Sequence, residues 1–480
     1  INIITNEPKD VVAFSSNSSY TRKNQFSQGL NLDIAQGKIG SYTSYKYDHS
    51  DGWQNCHLTE DGEDIIETIA PLSLGYSSNN FSQKFTYDAT DQLSFYANGG
   101  YYNRGLERPV EREDITGGSK YNTTYEGYNW GAGAKYKLSK RNVIQFDYSG
   151  NNYASRYKYL IENSGYLPGQ YALTKLQKFH DAELKGIFGF TTNSTTVFGV
   201  DYRREVLRRP DSDLDKSVYT TSAYGQHEVK LWNHLTGVVG VRYDHHEQTG
   251  GRFTPKVAAM YNIGNFNVRA TYAAGFRAPG IDELYYHMFK KTMGTRATIS
   301  LGDENLDPER SNYYSINMEY RTNRFSASVT GYLNYVKNMV TSKSTKFDDL
   351  PEAEQNQLRE EFPEIGDLSS TKNLSVKNYF NFEKATVKGF EVNLNGNLFP
   401  GFTLTGNYTY AYGRGLNEGG EWQNIERSIR HTATITGNYT HSWSDYTLNL
   451  NLNGRLQSKV YYPGDADGNA PGYGIWNLNT

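Results

Sequence analysis

Several features that usually reveal the architecture of a large chain are scarce or missing here. The 480 residues include one cysteine, Cys56, so no disulfide can form within the chain. No apolar run is long enough for a spanning helix, which excludes a helical membrane protein. No Pro- or Ser-rich linker divides the chain, and the formal charge of -3 argues against a nucleic-acid partner. One large β-structure is the simplest account.

Alternation between apolar and polar residues runs through almost the whole sequence. Phe266 and Val268, for example, alternate with Asn267 and Arg269. Successive side chains of a strand point to opposite faces, so this pattern predicts strands with one apolar and one polar face. The mean hydropathy is low, -0.73, although 14% of the residues are aromatic. A transmembrane barrel combines these properties, because only every second strand residue faces lipid.

The alternation predicts about twenty strands, with connections that are alternately very short and mostly long. In an up-and-down sheet, alternate connections lie at the same end, so the long loops should share one rim, as in outer-membrane barrels. The predicted long loops are 48–72, 103–123, 152–177, 277–310, 338–382, 413–430 and 458–472. The predicted strands are 11–20, 26–35, 39–47, 80–88, 92–102, 124–138, 142–151, 178–191, 195–207, 216–231, 235–246, 255–263, 266–276, 311–321, 324–337, 383–398, 402–412, 431–441, 446–457 and one from 473.

These patterns predict an all-β fold, namely a transmembrane antiparallel up-and-down β-barrel. Trp232 and Trp443 fall in short turns, where an interfacial aromatic girdle belongs. Plugged outer-membrane transporters have about 22 strands, and an open sheet edge is not tolerated in lipid. We therefore expect closing strands beyond Thr480. A soluble barrel or sandwich with one wet face is the alternative fold.

Four segments carry a family resemblance. Residues 275–279 are GFRAP and are followed by Glu283-Leu284-Tyr285, residues 302–309 are GDENLDPE, residues 387–391 are VKGFE, and residues 1–6 are INIITN. In this order they resemble the FRAP box, the NPxL segment, the KGxE strand start and the plug-closing strand of TonB-dependent outer-membrane receptors. The Bacteroidetes-type receptors for iron, haem or cobalamin are the most similar branch. The second segment departs from the family, with Asp-Glu where Asn-Pro is usual.

The resemblance implies a 22-stranded barrel of which this chain holds about 20 strands, with the plug domain and the closing strands absent. Residues 1–6 would be the end of the plug domain, and residues 7–480 an incomplete transmembrane β-barrel with long extracellular loops. It further implies the outer membrane of a Gram-negative bacterium, with the lipid bilayer and lipopolysaccharide around the wall. Import would be driven by the TonB complex through the absent plug, and a surface lipoprotein is a further expected partner. A passive porin is the rival within the fold.

The resemblance also points to a ligand. In haem receptors of the family a histidine between the first two boxes ligates iron, and His287 occupies that interval here. Imidazole is a good axial ligand for haem iron. We therefore rank haem first as the transported ligand, cobalamin second and a ferric siderophore third. Apart from His287, the expected ligand-binding residues are Tyr285 and Tyr286 for stacking, Arg277, and Lys290 and Lys291 for anionic groups.

Loop carboxylates give a weaker signal. Asp465 and Asp467 have the spacing of loose calcium ligands, which would suit a cobalamin receptor, and solvated loop acids are the alternative interpretation. The sequence contains neither G-x-S-x-G nor H-E-x-x-H. We therefore expect no enzyme and no catalytic cofactor.

Overall fold

Antiparallel β-strands make up most of the protein in the computed structural model. The structure describes residues 8, 11–22, 24–54, 58–60, 63–65, 71–107, 120–163, 165–291, 297–368, 370–416, 419–425, 427–462 and 470–480. The predicted end of the plug domain, residues 1–6, lies outside these ranges. Neither α-helix within them is long and apolar enough to cross a bilayer.

The described residues form 29 strands, numbered here along the chain. The first half comprises β1 Ala13–Thr21, β2 Gln25–Gln36, β3 Ile39–Ser50, β4 Trp53–Gln54, β5 Leu58–Glu60, β6 Glu63–Ile65, β7 Pro71–Ser73, β8 Gly75–Asp88, β9 Leu93–Glu107, β10 Tyr121–Lys137, β11 Asn142–Tyr159, β12 Tyr171–Thr191, β13 Ser194–Arg209, β14 Leu214–Leu231 and β15 Leu235–His246. The second half comprises β16 Gly250–Ile263, β17 Phe266–Arg277, β18 His287–Lys291, β19 Ala297–Leu301, β20 Glu309–Arg321, β21 Phe325–Lys346, β22 Leu374–Phe399, β23 Phe402–Leu416, β24 Trp422–Asn424, β25 Ser428–Ile429, β26 His431–Ser442, β27 Thr447–Gln457, β28 Val460–Tyr461 and β29 Tyr473–Asn479.

Among the residues that the structure describes, a single sheet of 23 strands is by far the largest. Three of its members, β18, β19 and β24, lie in loops, and the other twenty form the wall, each antiparallel to its neighbours along the chain. This confirms the predicted up-and-down topology and the predicted number of strands. Within the described ranges, β1 pairs with β2 alone and β29 pairs with β27 alone, so the wall has two long edges.

Large apolar side chains cover the outer face of the wall. On β13, Phe198 is 48% exposed and Val200 is 53% exposed, whereas Asp201 points to the opposite face and bonds Arg242 there. Such exposure would be costly in water and is favourable in hydrocarbon. Trp232 and Trp443 are exposed at two short turns, where the sequence predicts an aromatic girdle.

The short turns lie at one rim, and the connections at the other rim are longer and carry structure of their own. Gly264 in the Gly264-Asn265 turn has a φ of 57°, a left-handed conformation that glycine adopts without strain. At the opposite rim lie helices α1 Ile281–Tyr285 and α2 Glu352–Glu361, and three 3-10 helices, Pro210–Ser212, Phe347–Asp349 and Pro363–Asp367. Strands β21 and β22 also continue well into the predicted loop 338–382.

The largest buried apolar cluster lies in these loops, not in the wall. It joins the hairpin β18–β19, helix α2 and the upper end of β22, where β19 and β22 pair in parallel. We call this unit the loop core. Its buried members are Ala297, Ile299, Phe347, Leu358, Phe362, Ile365, Leu374 and Val376. Parts of the two predicted long loops 277–310 and 338–382 are therefore packed together.

Candidate ligand-binding site at the loop rim

Arg277, at the upper end of β17, holds the two motif segments together. Its guanidinium donates hydrogen bonds to Glu283 at 2.9 Å and to Glu309 at 2.6 Å. Glu283 also accepts the backbone N–H of Gly280 at 2.7 Å, and Glu309 accepts that of Val340 at 2.9 Å. Charge-assisted hydrogen bonds of this kind are the strong ones in proteins. The arginine of the FRAP-like box therefore acts as a clamp between three chain segments.

A small apolar cluster lies beside this clamp. Leu284, Leu306 and Val340 are buried together, with Tyr285 and Tyr379 packed against them. The cluster explains why each motif segment contains a leucine, since the side chains of Leu284 and Leu306 are buried in the same cluster.

Gly302 makes the close approach of the two segments possible. A Cβ atom at this position would lie 2.6 Å from the carbonyl carbon of Leu284, closer than side chains tolerate. Its backbone N–H instead donates to the carbonyl of Tyr286 at 2.6 Å, and that of Asp303 donates to Glu283 at 3.0 Å. A glycine is therefore required here by space, not by a left-handed φ.

Tyr285 and Tyr286 face cations of the β13–β14 connection. The Lys216 ammonium lies 4.6 Å from the centre of the Tyr285 ring, and the Arg209 guanidinium lies 5.2 Å from that of Tyr286. Arg209 also donates a hydrogen bond to the Tyr286 hydroxyl at 2.6 Å, and Gln248 donates one to the Tyr285 hydroxyl. Burial raises the pKa of the Tyr286 phenol, so it stays protonated.

His287 belongs to the loop core. Its ring stacks on Phe362 with 4.5 Å between the centroids, and its Nε2 lies 3.4 Å from a carboxylate oxygen of Glu361. The hydrogen bond from Gln357, and then that from His287, lower the pKa of Glu361. The imidazole nevertheless remains 54% exposed. It is accessible from solvent but already engaged at the C-terminal end of α2.

The predicted site residues therefore fall into three groups instead of one. Tyr285 and Tyr286 contact β13–β14, His287 contacts α2, and Arg277 is held by carboxylates. Lys290 is exposed on the hairpin, and the side chain of Lys291 lies outside the described residues. The sequence placed these residues in one segment, but that segment folds against two different neighbours.

The predicted calcium ligands Asp465 and Asp467 lie outside the described residues, as does Cys56. Within the ranges that the structure describes, no three His, Cys, Asp or Glu side chains converge to hold a metal ion.

Two further pairs of this type lie elsewhere, one on β8–β9 and one on the upper end of β22. The Arg104 guanidinium lies 4.3 Å from the Tyr76 ring centre, and the Lys377 ammonium lies 4.9 Å from that of Tyr379. With Arg209–Tyr286 and Lys216–Tyr285 they make four cation–aromatic pairs, which we call the mouth pairs. Sequence inspection missed all four cations, because each is distant along the chain from the FRAP-like box.

The lumen below the mouth pairs has the opposite charge. A cavity of about 640 Å³ lies between β12–β15 and the Arg277 segment. Arg203 and Arg242 pair there with some of the carboxylates, at 3.2 Å to Asp181 and 2.8 Å to Asp201. Carboxylates still outnumber cations on this lining; they are Asp181, Glu183, Asp201, Glu205 and Asp244.

Comparisons with known proteins agree with the fold. Residues 52–480 match the sequence model described as TonB dependent receptor-like, beta-barrel. Among solved structures, the siderophore receptor PirA from Pseudomonas aeruginosa superposes with a TM-score of 0.67 at 17% identity, covering 99% of this chain and 75% of that chain. A variant of the ferric enterobactin receptor PfeA from the same organism, in complex with enterobactin, superposes with a TM-score of 0.70 at 14% identity, covering 99% and 74%.

Curated relatives are similar in sequence over long stretches. The probable TonB-dependent siderophore receptor PirA of Acinetobacter baumannii is 20% identical over 456 residues, which is 85% of this chain and 58% of the relative. The vitamin B12 transporter BtuB of Vibrio cholerae is 21% identical over 286 residues, which is 56% of this chain and 41% of the relative. The chain thus spans roughly two fifths to three fifths of the length of these relatives.

Proposed function

The chain belongs to the TonB-dependent receptor β-barrel family, and we propose that it forms the wall and extracellular mouth of a receptor for an anionic, aromatic iron complex. A ferric siderophore of the catecholate class is the ligand that we place first. This changes the order predicted from the sequence, in which haem came first, cobalamin second and a ferric siderophore third.

The mouth pairs are the observation that carries this proposal. A cation over an aromatic ring presents positive charge and a flat apolar surface side by side, which suits a ligand that is both anionic and aromatic. Two of the pairs, Arg209–Tyr286 and Lys216–Tyr285, are neighbours at the ends of β13 and β14 and could contact one such ligand together. The acidic lining beneath them would disfavour the same anion, so capture is expected at the mouth. Relatives that are described as siderophore receptors support the same ligand class.

The test is a titration of the full-length receptor with ferric enterobactin, haem and cyanocobalamin, followed by intrinsic fluorescence. Ferric enterobactin should bind tightest. The double variant Arg209→Gln/Lys216→Gln should weaken its binding by at least tenfold. Each cation that contacts an aromatic ring of the ligand contributes about 0.5–2 kcal/mol to the binding free energy.

Arg203→Gln is the matched control, since Arg203 lies on the same strand as Arg209 but faces the cavity below. Equal affinity of the double variant and the unmodified receptor would contradict the proposal. Tighter binding of cyanocobalamin than of either iron complex would replace the ligand class.

Haem becomes the second candidate, and one observation favours it. The His287 imidazole is more than half exposed although it lies in a packed loop structure. To ligate iron, Nε2 must turn from Glu361, and Glu361→Gln should ease that movement. A Soret shift that disappears in His287→Ala would support haem, whereas a shift unchanged by this substitution would remove the histidine from the site.

Energised import is the remaining part of the proposal. We place the receptor in the outer membrane, with transport driven by the TonB complex through a plug domain, as the family implies. Uptake of the iron complex by cells should then stop when the TonB gene is deleted, while binding to the surface persists. Uptake that continues without TonB would indicate a passive porin.

A further inference from the structure

The lumen face of β8, β9 and β10 differs in charge from the acidic cavity near it. Directly paired residues share a face, and a row of pairs across the sheet joins Asp201 on β13 to Tyr96 on β9. Because Asp201 faces the lumen, every second residue of β9 counted from Tyr96 faces it too, and so do the residues paired with these on β8 and β10. On these three strands the lumen face carries four cations and one carboxylate; they are Lys84, Arg104, Lys135, Lys137 and Asp88.

The carboxylate that faces the lumen from the next strand, β11, is already neutralised. Asp147 accepts hydrogen bonds from the Tyr96 hydroxyl at 2.7 Å and from the Gln145 amide at 3.0 Å. The Lys185 ammonium lies 3.5 Å from its other oxygen. An anion that moves along β9 and β10 between Arg104 and Lys135 therefore meets amides, hydroxyls and rings, and no unpaired carboxylate of these strands.

The lower end of these strands borders a cavity of about 1020 Å³. The backbone N–H of Lys137 donates to the carbonyl of Gln92 at 2.8 Å, so the cavity reaches the rim of the short turns. That rim faces the periplasm in outer-membrane barrels. Lys135 and Lys137 line the cavity, both are exposed, and neither forms an ion pair with a residue that the structure describes.

The upper end of the same face carries one of the mouth pairs, Arg104 over Tyr76. Cations therefore lie at both ends of an otherwise nearly neutral surface. The cavity between β12–β15 and the Arg277 segment, in contrast, has five carboxylates on its lining. A lining of one sign concentrates ions of the opposite sign and repels ions of its own. An anion in the lumen is thus favoured on β8–β10 and disfavoured on β12–β15.

We infer that the anionic iron complex passes from the mouth to the periplasm along β8–β10, and that Lys135 and Lys137 attract it at the exit. The inference rests on the proposed function, because a neutral ligand would gain nothing from this distribution of charge. The carboxylates of β12–β15 keep the complex on the β8–β10 side. The lysines act on passage and not on capture, since they lie at the rim opposite to the loops.

The test measures capture and passage separately in cells that express the full-length receptor. Surface binding of radiolabelled ferric enterobactin is measured at low temperature, and the initial rate of uptake is measured in growing cells. Lys135→Gln/Lys137→Gln should leave the half-saturating concentration unchanged and lower the maximal uptake rate about fivefold, because each exposed cation contributes a factor of about two. Asn129→Asp adds a carboxylate midway along β10 without a change of size, and should lower the same rate about twofold.

The matched controls make the same changes of charge on the lumen face of β14 and β16. They are Lys230→Gln/Lys256→Gln and Gln226→Glu, at positions that share the face of Arg242. Both controls should take up the complex like the unmodified receptor.

Two results would overturn the inference alone. Equal slowing in the β10 variants and their controls would show that only the net charge of the lumen matters. Unchanged uptake in Lys135→Gln/Lys137→Gln, with binding intact, would show that the complex does not pass these lysines. Absence of binding by the unmodified receptor would instead overturn the proposed function, and this inference with it.

Discussion

Replacing Arg277 by alanine should loosen both motif segments without opening the wall. Arg277 donates three hydrogen bonds to the carboxylates of Glu283 and Glu309, at 2.6–3.3 Å. Hydrogen bonds to charged groups contribute about 1.5–3 kcal/mol each when buried. The Arg277 side chain is 45% exposed, so solvent screening leaves about 2 kcal/mol for the whole clamp. Local opening of 281–309 should then be about thirtyfold more frequent.

Hydrogen–deuterium exchange with peptide resolution measures this opening directly. Amides of α1 and of 302–309 should exchange about thirtyfold faster in Arg277→Ala, while amides of the wall strands keep their protection. Arg310→Ala is the matched control, because Arg310 is exposed at the same height and forms no ion pair within the described ranges. Identical exchange in the two variants would refute the clamp, and Arg277 would then be available to a ligand, as the sequence predicts.

Two further perturbations test other parts of the site. Gly302→Ala should accelerate exchange of the same peptides at least tenfold because its Cβ meets Leu284, whereas Gly366→Ala, with open space around it, should not. Phe362→Ala should cost about 3–5 kcal/mol of loop-core stability and expose α2 to protease, with the melting temperature of the wall unchanged.

The wall strands could be predicted from the sequence because one face of each strand contacts lipid and the other contacts water. Apolar and polar residues therefore alternate along each strand with a period of two. The prediction of a strand over 235–246 agrees with β15, Leu235–His246, in both bounds. The same rule failed above the membrane. Strand β21 continues past Lys337 to Lys346, but Asn338 has a φ of 55° and interrupts the alternation. Beyond it, Val340 is buried by loop residues instead of lipid, so the pattern no longer marks a face.

The candidate site was predictable as a segment but not as a set of contacts. The motif residues located 277–309 because that segment is short and distinctive. No residue near Tyr285 and Tyr286 in the sequence indicates that they contact Lys216 and Arg209. These two cations lie on β14 and β13, and only the folded sheet brings them to the tyrosines. The engagement of His287 by Phe362 likewise depends on the packing of α2, a helix that polar loop composition concealed.

The parallel pairing of β19 with the upper end of β22 has a consequence for the order in which the chain assembles. Residues 297–301 precede 374–378 along the chain, with the whole of β20 and β21 between them. Contacts between segments so distant in sequence form late, because a long stretch of chain must be ordered before they are made. The hairpin β18–β19, which carries His287, can therefore pack against β22 only after β20 and β21 have formed. We expect an arrested barrel that stops before β22 to lack the packed loop core, so an ordered loop core would indicate that the wall strands beneath it have formed.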